Sequence, residues 1–254
     1  METLFIGKNM LFLPEVESTN TYAMNMLRNV NAIDGTVVYT DNQTHGKGQR
    51  GASWNSQIAS NITTSIILKP TFLSVDDSFF LSKISALSIY DVLTGVLDNS
   101  HYDIKIKWPN DILVNSKKIA GILIENNYNA NSLQYSVIGI GLNVNQTDFG
   151  PLEGIATSLK QITGKEYNRK ELLEKLCSCL EKWYFALKSN KTAFITETYL
   201  DCIKGMNMRL SFKMPDNSVF QAKIVDVNRE GKLCLEMDDL SIQHFEIKEL
   251  QFIS

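Results

Sequence analysis

This chain has little with which to build a metal centre, a disulfide framework or a membrane anchor. Its four cysteines, Cys177, Cys179, Cys202 and Cys234, have no metal-like spacing, and its three histidines, His45, His101 and His244, are scattered. Cys177 and Cys179 stand two apart, so on a helix they point to different faces. A reduced protein with incidental thiols is expected. No run approaches the roughly 18 apolar residues of a membrane span. The opening Met-Glu-Thr-Leu-Phe-Ile-Gly-Lys lacks the long apolar core of a signal peptide. A cytoplasmic location with no membrane partner is therefore expected. Charge of one sign is also missing: 25 Lys and Arg against 28 Asp and Glu give a net charge of -3. A dedicated nucleic-acid binder would carry a basic face, so no nucleic-acid partner is expected. Gly-x-x-x-x-Gly-Lys-Ser/Thr does not occur, nor does His-Arg-Asp or Asp-Phe-Gly, which removes the P-loop and protein-kinase readings. Internal repeats and low-complexity tracts are absent.

What is present is an ordinary globular composition, 44% hydrophobic and 21% charged over 254 residues. That length makes one large domain, or one plus a small second one, with room for a core that needs no staples. The most unusual stretch runs from Thr40 to Trp54, after a β-branched run, Thr36-Val37-Val38-Tyr39, that reads as a strand. Gly46, Gly48 and Gly51 let backbone approach a ligand closely and allow positive φ. Lys47 and Arg50 add cationic donors. Such a loop suits a phosphorylated or anionic ligand; a glycine-rich surface turn is the alternative. The dinucleotide spacing Gly46-x-Gly48-x-x-Gly51 is misleading, because Ala-Ser-Trp-Asn-Ser-Gln is a poor helix opening.

Residues 1–16 read as a short strand and loop. Glu17-Ser18-Thr19-Asn20 then precedes apolar residues at Tyr22, Ala23, Met26, Leu27 and Val30, a helical period behind a Ser or Thr cap. Those polar residues mark a helix start, or recognise a polar ligand head beside free backbone N–H groups. Ile62 to Ile67 reads as a strand. Ser74-Val75-Asp76-Asp77 resembles a capping box opening a long helix through Phe79, Lys83, Ala86, Tyr90, Leu93 and Leu97. Ile104 to Val114 reads as two strands broken at Trp108-Pro109-Asn110-Asp111, a hairpin. Lys117 to Glu125 is an apolar strand entered from a basic pair. In the strand Tyr135 to Val144, Gly139 and Gly141 clear one face, which signals close approach of another group, and Asn143 is placed on that face. Asn168 to Leu187 is an amphipathic helix with Asn168 and Glu171 as its cap, and a short helix is expected over Ala193 to Leu200. From about Asn207 short alternating runs suggest a small β-barrel, with a boundary near Gly205.

In their order and spacing these motifs resemble biotin–protein ligase. They are Glu17-Ser18-Thr19-Asn20, the Gln43-to-Trp54 loop, Lys107-Trp108-Pro109-Asn110-Asp111, Lys118-Ile119-Ala120-Gly121-Ile122-Leu123-Ile124-Glu125 and Gly139-Ile140-Gly141-Leu142-Asn143-Val144-Asn145, followed by the terminal barrel. The resemblance implies an α+β fold: a mixed sheet flanked by helices over 1–205, then an SH3-like β-barrel over 206–254. It implies a monofunctional enzyme, since the first motif at residue 17 leaves no room for the winged helix-turn-helix of regulatory relatives. Biotin's carboxylate would attack the α-phosphate of ATP, with Mg²⁺ present, giving biotinyl-5′-AMP and pyrophosphate. A lysine of a biotin carboxyl carrier domain, such as that of acetyl-CoA carboxylase, would then take the biotin. Lys118 would contact the biotin carboxyl and the α-phosphate, with Lys47 and Arg50 as further catalytic cations. By matching position, Ser18, Thr19, Asn20, Gln43, Lys47, Gly48, Gln49, Lys118, Gly121 and Gly141 would bind biotin. Arg50, Trp54, Asn110, Asp111 and Asn143 would bind the adenylate, with no metal held by protein ligands alone and Asp111 beside the Mg²⁺ that comes with ATP. A monomer or homodimer is implied. Many relatives read Gly-Arg-Gly-Arg-Arg-Gly-Arg in the loop; here Lys47, Gln49 and Ala52 replace three arginines, which weakens the expected grip on the adenylate. A lipoate–protein ligase shares this logic but would show an early Arg-Arg-x-x-Gly-Gly-Gly, which is missing. An idle binding module would leave Lys118 and the paired glycines without purpose.

Overall fold

The structure, a computed structural model, describes residues 2–29, 32–98, 100–129, 132–247 and 249–253, with the backbone but not the side chain of Arg50. The chain opens with strand β1 (Met10–Val16), helix α1 (Thr19–Asn29), β2 (Val37–Gln43) and β3 (Ile62–Leu68). It continues through α2 (Phe80–Thr94), β4 (Ile104–Lys107), β5 (Asp111–Val114), β6 (Lys117–Asn129) and β7 (Ser132–Leu142). Three helices follow: α3 (Leu159–Thr163), α4 (Arg169–Lys188) and α5 (Thr192–Asp201). Five strands close the chain: β8 (Arg209–Lys213), β9 (Val219–Val227), β10 (Leu233–Glu236), β11 (Ile242–Phe245) and β12 (Gln251–Phe252).

The first seven strands make one mixed sheet in the order β1-β2-β3-β7-β6-β5-β4, with β1 parallel to β2 and the other pairs antiparallel. Its central strands are apolar at successive positions because both faces are covered. Val37, Ile66 and Ile138 face the large core; their chain neighbours Val38, Ile67 and Val137 face a smaller cluster built with Ala23 of α1. The large core holds α2, which is buried nearly all round and packs on α4 and α5. Each fully buried Leu, Ile or Val there contributes about 1.5–3 kcal/mol. The buried Ser85 and Ser88 satisfy their hydroxyls on the carbonyls of Leu81 and Ile84, four residues back, at 2.6 and 2.5 Å.

The Ser74–Asp77 box forms, with Ser74 Oγ donating to Asp77 Oδ2 at 2.7 Å, but it closes a turn ahead of the helix, which begins at Phe80. Asn168 caps α4 as its sequence requires, its side chain accepting from the Lys170 and Glu171 amides. The C-terminal strands form a second, antiparallel sheet ordered β11-β10-β9-β8-β12, with β11 and β12 at its edges. The two-residue β12 gives no sequence signal. Trp108 pins this sheet to the first: its buried indole Nε1 donates to the Gly231 carbonyl at 2.8 Å. Arg229 makes a second tie, forking onto the two carboxylate oxygens of Asp77 at 2.6 and 2.7 Å. Among the described residues no helix is long and apolar enough to cross a membrane.

Candidate functional site

Helix α1 covers only part of its face of the sheet. Val137, Gly139 and Gly141 point the same way along β7, since side chains alternate at a period of two. Val137 packs under α1, and beyond the helix N-terminus the face opens into a cavity of about 890 Å³. Gly141 pairs with Gly121 of β6, and Gly139 pairs with Leu123. A Cβ added at Gly139 would overlap the Asn20 carboxamide, and one at Gly141 would overlap the Trp54 indole. The paired glycines thus admit two named side chains.

Ser18, Thr19 and Asn20 are all buried where α1 begins. Gln43 Oε1, at the end of β2, accepts from the Thr19 amide at 2.8 Å and its hydroxyl at 3.1 Å. Asn20 is fixed by three groups: Ser65 Oγ donates to its Oδ1 at 2.5 Å, and its Nδ2 donates to Glu125 Oε2 at 2.9 Å and the Leu123 carbonyl at 3.3 Å. The motif is therefore both a helix start and part of the cavity wall. Ser65 and Glu125 carry no role in the sequence reading. The run of hydroxyls Thr63-Thr64-Ser65 inside the Ile62–Leu68 strand was the available signal for Ser65.

The glycine loop folds back on itself as a small hairpin. Trp54 donates from its amide to the Gly46 carbonyl at 2.9 Å, Gly48 to Ala52 at 2.7 Å, and Lys47 pairs with Ser53. Only Gly51 among the three glycines has positive φ, at 84°; Gly46 is needed because a Cβ there would run into the Trp54 carbonyl. Lys47 Nζ donates to Thr21 Oγ1 of α1 at 2.9 Å, drawing the loop toward the helix.

Lys118 enters β6 beside this loop. Its ammonium lies 2.6 Å from Asp111 Oδ1 and 5.5 Å from the Trp54 ring centroid. The first residue of β5 thus supplies the carboxylate that positions the lysine. Asn110 donates from Nδ2 to the Ile122 carbonyl at 2.9 Å, tying that turn to β6.

Ser18, Thr19, Asn20, Gln43, Lys47, Gly48 and Gln49 line the same cavity as Trp54, Asn110, Asp111, Lys118, Gly121 and Gly141. Two expected residues are not among them. Asn143 lies past the end of β7 with its side chain buried, donating to the Thr157 carbonyl at 3.0 Å, so it braces the following loop instead of facing the cavity. The period-two extrapolation from Gly141 fails because the strand has ended. The Arg50 side chain lies outside the described residues. The wall also includes residues that the sequence reading did not assign, namely Lys107 and, from the C-terminal sheet, Lys213 and Gln251. Among the described residues, four lysines (Lys47, Lys107, Lys118 and Lys213) and one acid (Asp111) line it. In a chain of net charge -3, that excess marks an anion site. Among the described residues no group of three or more His, Cys, Asp or Glu could hold a metal ion.

Two sequence relatives and one solved structure resemble this chain. The bifunctional ligase/repressor BirA of Bacillus subtilis is 33% identical over 245 residues, covering 94% of this chain and 73% of the relative. The biotin–[acetyl-CoA-carboxylase] ligase of Paracoccus denitrificans is 31% identical over 192 residues, 74% of this chain and 78% of the relative. A solved structure of biotin protein ligase from Aquifex aeolicus in complex with biotin and ATP superimposes with a TM-score of 0.79 at 26% identity, over 97% of this chain and 99% of that one. The model of the biotin/lipoate A/B protein ligase family matches residues 12–143, from β1 to the end of β7 and so most of the cavity wall; the chain belongs to that family.

Proposed function

We propose that this chain is an ATP-dependent biotin–protein ligase that makes biotinyl-5′-AMP and passes the biotin to a lysine of a carboxyl carrier domain. The observation that carries the reading is the shared cavity: the glycine loop and Lys118 face one hollow where, among the described residues, four lysines meet one acid. Two anions, a carboxylate and a triphosphate, repel one another and must be held side by side. Ammonium groups and backbone N–H groups from separate segments supply the compensating field in a partly dry site.

Ser18, Thr19, Asn20 and Gln43 hold the ureido ring, Gly121 and Gly141 leave room for the ligand, and Trp54 offers a stacking face to adenine. Asn110 faces the nucleotide. Lys118 contacts both the biotin carboxylate and the α-phosphate. As the carboxylate oxygen bonds to phosphorus, the bond to the β-phosphate breaks and its electron pair leaves with pyrophosphate. Lys118 stabilises the charge that develops there, and Lys47, Gly48 and Gln49 close the loop over the product and keep water from the anhydride. Arg50 is assigned to the phosphates on its position in the loop. In the second step a neutral lysine amine attacks the anhydride carbonyl, AMP leaves, and the amine gives up a proton.

ATP is delivered with Mg²⁺. Among the described residues Asp111 is the one carboxylate on the cavity wall, and it would hold the Mg²⁺ that comes with ATP, beside Lys118. The ion neutralises phosphate charge. The catalytic unit comprises residues 1–205 and the C-terminal unit 206–254.

The test is pyrophosphate and AMP formation with radiolabelled biotin or lipoate, with and without a carrier domain, for the natural chain and Lys118→Ala. Biotin-dependent pyrophosphate release, strongly reduced in Lys118→Ala, is expected. Release driven by lipoate alone, or independent of either acid, would sink the assignment.

A further inference from the structure

Ser65 and Glu125 have no task in the ligase reading, yet both are bonded to residues that do. Ser65 is fully buried in β3, opposite Gly139 of β7. Its Oγ lies 2.5 Å from Asn20 Oδ1 and 2.7 Å from Thr19 Oγ1. On the other side of Asn20, Nδ2 donates to Glu125 Oε2 at 2.9 Å and to the Leu123 carbonyl at 3.3 Å. Thr19 and Asn20 line the cavity, whereas Ser65 and Glu125 do not. A chain of side chains thus runs from the Glu125 carboxylate through Asn20 and Ser65 to Thr19 at the cavity.

Counting protons fixes the direction of that chain. A carboxylate and a carbonyl only accept, so Asn20 turns its NH2 toward Glu125 and Leu123 and its oxygen toward Ser65. That oxygen also only accepts, and it takes the single proton of the Ser65 hydroxyl. Ser65 Oγ is left with lone pairs for Thr19, so there the Thr19 hydroxyl is the donor. Its other neighbour, Gln43 Oε1 at 3.1 Å, already accepts from the Thr19 amide at 2.8 Å. The Thr19 proton is shared between these two oxygens, and both lie in the wall. The Thr19 oxygen therefore meets the cavity with a lone pair and no proton to give. Each bond polarises the next, so the charge on Glu125 makes that oxygen a stronger acceptor. The ureido ring of biotin carries two N–H donors. We propose that Ser65 and Glu125, which touch no ligand themselves, are positioning residues that make the Thr19 hydroxyl an acceptor for a ureido N–H. They set the preference for a head group that donates at that point.

This inference rests on the biotin reading, and ligand analogues separate the two. Calorimetry on the full chain compares biotin with the two cyclic carbamates in which one or the other ureido N–H is replaced by a ring oxygen. The parent should bind the carbamate whose oxygen faces Thr19 at least about tenfold more weakly than biotin, because two lone pairs then meet. Ser65→Ala frees the Thr19 proton to turn outward. Biotin should then bind about fivefold more weakly, and its advantage over that carbamate should shrink by at least about fivefold. Glu125→Gln, equal in size and uncharged, should weaken biotin by about two- to threefold. KM for ATP in pyrophosphate release should stay within about twofold in both variants. A residue that merely held α1 to the sheet would weaken biotin and carbamate alike. An unchanged biotin-to-carbamate ratio in Ser65→Ala, or unchanged biotin affinity in both variants, overturns the proposal. A parent chain that binds no biotin overturns the ligase reading and this inference with it; a parent that binds biotin, beside an unaltered ratio, overturns this inference alone.

Discussion

The indole of Trp54 occupies the space that a side chain on Gly141 would need, and the Lys118 ammonium stands over the same ring. Its Nε1 is buried without a hydrogen-bond partner among the described residues. Trp54 and Trp108 both line the cavity, and Trp54 is the one whose indole N–H is left for a ligand to satisfy. The other two are buried, with Nε1 donated to Gly231 in Trp108 and to Asp91 in Trp183. Biotin and ATP should therefore change tryptophan emission on titration. Trp54→Phe should remove that change while leaving the folded spectrum of the other two. A full response in Trp54→Phe would place the ligand elsewhere.

Gly139 and Gly141 should separate stability from binding. A Cβ at Gly139 meets an Asn20 carboxamide locked by Ser65, Glu125 and the Leu123 carbonyl. It cannot move without losing those bonds, so Gly139→Ala should cost about 1–3 kcal/mol. A fall of several degrees in Tm would register it. At Gly141 the obstacle is the Trp54 ring, which borders open cavity and can swing away. Gly141→Ala should keep most of its Tm and lose affinity for biotin and ATP, read by calorimetry. Equal Tm losses in both variants would contradict this contrast.

How far these relationships could be read from the residues alone varies along the chain. The two in-strand glycines announce close approach, because glycine weakens a strand that does not need it. Which groups approach follows only from folding: Asn20 and Trp54 are remote in sequence from β7, and the docking of α1 and the glycine loop on the sheet brings them to it. Asn143 marks the limit of period-two reasoning, which holds only while the strand lasts. Lys213 and Gln251 were not legible as site residues at all. Their strands are short and ordinary, and what aims them is the docking of the C-terminal sheet through Trp108 and Arg229, a tertiary fact with no local signature.

Lys83 gives a stability prediction of definite sign. It lies in the first turn of α2, nearly fully buried, donating to Thr196 Oγ1 at 3.1 Å with the Phe80 ring 4.9 Å away. Burial pushes its ammonium below the ordinary value of 10.5, against an opposing pull from Asp226 and Cys234. The unfolded chain keeps that proton up to the ordinary value, whereas the folded chain releases it earlier. Between the two values the unfolded state binds more protons, so stability rises with pH there. Lys83→Met should raise Tm near neutral pH and remove that alkaline rise. Denaturation curves from neutral to alkaline pH check it, and a lower Tm at every pH would refute it.

The loop sequence gives a prediction about how long the activated intermediate stays bound. Lys47, Gln49 and Ala52 stand where arginine-rich relatives carry guanidinium groups, and all three line the cavity. Lysine keeps a charge but loses the planar fork that grips phosphate with two parallel bonds, and Gln49 and Ala52 supply no charge at all. Biotinyl-5′-AMP should therefore leave this protein faster than it leaves an arginine-rich relative. Gln49→Arg should slow the release by about tenfold, which corresponds to about 1.4 kcal/mol and the low end of a charge-assisted hydrogen bond. Pulse-chase with radiolabelled biotin measures the release directly, and equal rates for Gln49→Arg and the natural chain would show that the missing guanidinium groups do not govern retention.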